Sequence, residues 1–115
     1  MQLPHDAGWQ VDGCMPSASL AFVFVQLWRL QAANAHEGAR FLHQELLPLL
    51  NFMMQSIEML IACEKELLVL RSILSTASCR EPTYHLDQSE HRELVEHVQH
   101  LARLFPKLSR AGRWV

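Results

Sequence analysis

The chain has 115 residues and a formal net charge of −2, with half its residues hydrophobic and 19% charged. That is enough for one small domain with a modest core, and it excludes the disordered class. Four Gly and five Pro, mostly outside the periodic stretches, favour long helices over a sandwich or barrel of short strands.

Residues 1–16 hold Pro4, Gly8, Gly13 and Pro16, two acids and no periodicity, and read as a flexible N-terminal arm with Trp9 and Val11 as its anchors. Pro16 forbids helix just before it, and Ser17 or Ser19 can cap one just after. The spacing of Leu20, Phe24, Leu27, Trp28 and Leu30 predicts a first helix from there to about Ala35. Phe22-Val23-Phe24-Val25 suits a strand by propensity, but the helical pattern continues through Ala33 and no second strand exists to pair with it. Asn34 and Gly38 supply the break. Leu20–Leu30 is interrupted by Gln26 and Arg29 and falls short of the ~20 apolar residues that a membrane span needs. It resembles a signal core before Ala33-Asn34-Ala35, but Asp6 and Asp12 precede it with no Lys or Arg.

The dominant stretch is Phe41–Leu74. Leu46, Met53, Leu60, Leu67 and Leu74 recur every seven residues, with Leu47, Met54, Ile61 and Leu68 as a second stripe and Leu49, Cys63 and Leu70 as a third. The polar remainder (Asn51, Gln55, Glu58, Lys65, Ser72) is narrow, so this helix needs apolar partners on most sides. Pro48 admits two versions. One is a long helix kinked at the proline; the other is a short helix (37–46) followed by a longer one (48–75). The stripe passes through Pro48 without a phase change, which favours the kinked, continuous form. Glu58, Glu64, Lys65, Glu66 and Arg71 would each be costly in lipid, so this is no membrane span.

Ser75–Leu86 is polar and aperiodic. Asp87-Gln88-Ser89-Glu90 fits a capping box opening a last helix, whose apolar face is Leu94, Val98, Leu101, Phe105 and Leu108. Acids crowd its start and bases its end, the order that suits the helix dipole. These elements predict an all-α fold: a three- or four-helix antiparallel bundle over residues 17–111, with a short tail at 112–115.

Cys14, Cys63 and Cys79 form no CxxC pair and no zinc module, which points to a reducing compartment, cytoplasmic or nuclear. A Cys14–Cys79 disulfide has no support in the spacing. Cys63 reads as a small core residue. Cys79, beside Arg80 and shortly before Tyr84 and His85, lacks the scaffold of a catalytic nucleophile. Two imidazoles and a carboxylate at Glu93, His97 and His100 share a helix side and could hold a metal, but the competing reading is a solvated face with local Glu–His pairs. Arg103, Lys107, Arg110 and Arg113, with Phe105 and Trp114 among them, form a basic end that could contact nucleic acid; four charges do not separate this from ordinary dipole complementation.

The apolar surplus is the most informative feature. It predicts a non-catalytic helical interaction or scaffold module, or a subunit of a larger helical assembly, that binds a protein partner or a second copy with coiled-coil-like packing. The expected surface is Met53, Met54, Met59, Leu60, Leu67 and Leu74. No cofactor is expected. The alternatives are a metal protein using Glu93, His97 and His100 and a nucleic-acid-associated regulator using the basic end.

Overall fold

Helical periodicity accounts for every regular element in the computed structural model, which describes residues 14–104. After a 3-10 turn at Ala18–Leu20 come four α-helices: α1 (Ala21–Ala32), α2 (His36–Met53), α3 (Ile57–Leu70) and α4 (Gln88–Leu104). No strand occurs among the described residues, so the fold is the all-α one that the periodicity predicts. The chain divides between Leu47 and Pro48 into two compact units.

In the first unit the Phe22–Val25 segment is helical, against its strand propensity. Of the two candidate cap serines, Ser19 is buried within the 3-10 turn. Ser17 precedes the 3-10 turn without a side-chain capping bond, and the turn closes instead by the Leu20 N–H donating to the Ser17 carbonyl at 3.3 Å. α1 buries Val23, Phe24 and Leu27. It ends at Ala32, short of Ala35, because Asn34 takes a left-handed conformation (φ 60°). The Ala35 N–H donates to the Leu30 carbonyl at 2.8 Å and the Asn34 N–H to Gln31 at 3.1 Å, which together form a Schellman motif. Asn34 therefore makes the break, and Gly38 lies inside the first turns of α2.

α2 runs continuously through Pro48. Its buried positions, Ala39, Leu42, His43, Leu46, Leu49, Leu50, Phe52 and Met53, recur at helical spacing, while Pro48 itself is exposed. The continuous passage through the proline is as expected.

In the second unit the long helix expected to reach Leu74 is broken at Met54–Ser56, where the chain bends by 117°. The cause is local. Ser56 is extended (φ −155°, ψ 165°), and its Oγ accepts the Met59 N–H at 3.0 Å, which caps α3. Gln55 Nε2 donates to the Phe52 carbonyl at 2.9 Å and so satisfies an otherwise open acceptor of α2. α3 stops at Leu70 because Ser72 is left-handed (φ 57°). The Ile73 N–H donates to Leu68 at 2.9 Å and the Ser72 N–H to Val69 at 2.8 Å, a second Schellman motif. Leu74 therefore lies outside the helix.

The capping box of α4 is formed as read. The Glu90 N–H donates to Asp87 Oδ1 at 2.8 Å, and the Asp87 N–H donates to Glu90 Oε1 at 3.1 Å. Leu94, Val98 and Leu101 are buried. Phe105, Leu108 and the tail at 112–115 lie outside the described residues, as do residues 1–13 of the expected arm.

Candidate functional site

Once Ser56 starts a new helix, the wet and dry sides of α3 are set. Met59, Ala62, Cys63 and Leu67 are buried on one side. On the other, Ile57 and Ile61 are 73% and 45% exposed, and Met54, in the break just before, is 56% exposed. Half-buried Leu68 falls on the same side. At about 100° per residue, Ile57, Leu68 and Ile61 lie within about 40° of arc, so they form one apolar seam. Exposed Glu58 and half-buried Lys65 flank it on one edge, two turns apart. Lys65 Nζ donates to the Ser78 carbonyl at 2.8 Å. Beside Glu58 is an open cleft of about 300 Å³ bounded by Ser56, Pro82, Thr83 and Tyr84.

The predicted partner residues divide between core and surface. Met53, Met59 and Leu67 are buried, with Leu67 at 0% exposure, so they are core rather than surface. Leu60 is half-buried, and Met54 and Leu74 are exposed. The correction follows from how each helix packs: α2 and α3 turn Leu46, Met53 and Leu67 of the first stripe into the core, whereas Ile61 of the second stripe is exposed and Leu68 half-buried. Ile57 was in no predicted stripe. Glu58 and Lys65, charges along one edge of the second stripe, were the available signal for its wet side.

Of the proposed metal ligands, Glu93 Oε1 and His97 Nε2 are 3.6 Å apart. His97 is not on a fully solvated face: it is half-buried, and its ring packs on Phe52 with centroids 5.6 Å apart. His100 is exposed. Among the described residues no three His, Cys, Asp or Glu side chains gather to hold a metal ion. Of the basic end, Arg103 is exposed in the last turn of α4; Lys107, Arg110 and Arg113 lie outside the described residues.

A polar cleft of about 320 Å³ lies where α3, α4 and the loop before α4 meet, lined in part by Glu66, Cys79, Tyr84, His85 and His91. Its charged groups are already paired. His91 Nε2 lies 3.5 Å from Glu66, and His85 lies 3.0 Å from Glu81. The Tyr84 hydroxyl donates to Glu90 Oε2 at 2.6 Å, and this bond raises the phenol above its ordinary range. The Cys79 thiol contacts the Ala77 carbonyl at 3.6 Å. The buried thiol, Cys63, is pushed up to about 11 by burial, with the Glu90 and Glu66 carboxylates acting in the same direction. Cys63 is therefore an inert core thiol. All three cysteines are free.

Comparison with protein-family models, curated proteins and solved structures gives no match. Among the described residues no single helix is long and apolar enough to cross a membrane; α2 and α3 meet that length and composition only as a bent pair.

Proposed function

We propose that this chain is a helical protein-interaction module without chemistry of its own, and that it binds through the Ile57–Ile61–Leu68 seam of α3 together with Met54. The supporting observation is Ile57, a large side chain 73% exposed at the head of a seam with Ile61 and Leu68, bordered by half-buried Glu64 on one edge and by Glu58 and Lys65 on the other. Enclosing one such side chain stabilises a complex by about 1.5–3 kcal/mol. An apolar core rimmed by charge is the usual anatomy of a binding patch.

The test is chemical cross-linking and capture from an extract of the encoding organism, comparing the natural chain with Ile57→Asp. Proteins held by the first and released by the second are expected. The reading fails if the natural chain neither self-associates nor retains any protein in a manner that depends on Ile57.

A further inference from the structure

We infer that the occupant of the α3 seam is a second copy of this chain, packed antiparallel about a two-fold axis beside Ile61. This rests on the reading of α3 as an interaction surface and names its partner. The argument is self-complementarity. In an isologous pair every contact is made twice, so a patch must match its own inverted image. A two-fold axis between Ile61 and Ala62 sets Ile61 against Ile61 of the second copy and brings Ile57 toward Leu68 of that copy. The same axis brings the flanks carrying Glu58 and Lys65 to one side. Because the helices run oppositely, Glu58 then meets Lys65 of the second copy, and Lys65 meets Glu58.

A parallel pair turns that flank toward Leu60 and Glu64 of the other copy and leaves Glu58 with no cation. The open cleft beside Glu58 gives the incoming lysine room. Lys65 carries three donors, so its bond to the Ser78 carbonyl leaves two for the carboxylate. α3 has 14 residues and spans about 21 Å, a short interface for which a micromolar dissociation constant is expected.

Sedimentation equilibrium across the micromolar range tests the proposal, with circular dichroism confirming that each variant is folded. The natural chain is expected to dimerise. Ile61→Asp should raise the dissociation constant by about 100-fold or more, because symmetry places the new charge in the seam twice. Glu58→Lys alone should weaken the dimer about fivefold, and Glu58→Lys with Lys65→Glu should restore it to within about twofold. Lys65→Glu also removes the contact to Ser78, so Glu58→Lys is the single variant against which rescue is judged. A chain monomeric throughout, association indifferent to Ile61→Asp, or a double swap that fails to rescue each overturns the proposal. If the chain is monomeric but still captures another protein through Ile57, the interaction reading survives and the second copy does not.

Discussion

Leu67 and Ile57 share α3, yet the first is enclosed and the second faces water. Leu67→Ala removes packed methyl groups and leaves a cavity, and should lower the unfolding free energy by about 2–5 kcal/mol. Ile57→Asp, in dilute protein, should change it by no more than about 0.5 kcal/mol. Urea denaturation measures both, and a Leu67→Ala protein as stable as the natural chain would contradict the placement of Leu67 in the core. Cys63 gives a prediction in pH. Its folded value lies above the ordinary 9.0, near 11, so the fold keeps a proton that the unfolded chain releases. Stability from this group is fully present below pH 9 and is lost as pH rises toward 11, a decline that Cys63→Ala should flatten. Thiol titration of the native protein at neutral pH should leave Cys63 unmodified until denaturant is added. The buried state of Cys63 was legible from its place in an apolar stripe. Met53 and Met59, named for the expected surface although methionines on such a helix are more often core filler, are buried, because residue type alone does not say which side of a greasy helix is covered.

At the scale of elements, legibility followed the strength of local chemistry. Asp87 and Glu90 stand at capping-box spacing and form that box. Pro48 reads as lying inside a continuous, kinked helix, and α2 does run on through it. Ser56 was missed because its cap lacks a reciprocal Glu or Gln, Met59 standing at that place, and because the seven-residue stripe runs across it in phase. The far end of α3 was missed for a related reason: Ser72 occupies a left-handed position usually marked by glycine. That geometry costs an ordinary residue roughly 1–2 kcal/mol. Ser72→Gly should therefore raise the thermal midpoint, with a gain of about 1 kcal/mol. A lower midpoint, measured by differential scanning calorimetry, would contradict the Schellman ending.

For the molecule as a whole, the sequence showed more apolar surface than four helices need for a core, and the surplus is present. Each unit shows it separately: Val25 and Phe41 are exposed in the first, and Met54, Ile57, Ile61 and Ile73 in the second. What the sequence could not show was where that surplus would emerge. The answer depends on how each helix packs, which periodicity alone does not state. The division of the chain within α2 was invisible for a similar reason, since Leu42, Leu46, Leu49 and Met53 form one uninterrupted helical face across it.

Glu90 accepts from the Asp87 N–H through one carboxylate oxygen and from the Tyr84 hydroxyl through the other. One acid thus fastens both the opening turn of α4 and the strap of chain leading into it. Glu90→Ala should release the two together, and trypsin offers a direct readout. Cleavage after Arg80 should quicken several-fold while the interior of α4 stays resistant, and an unchanged digestion rate would mean that the strap is tethered elsewhere.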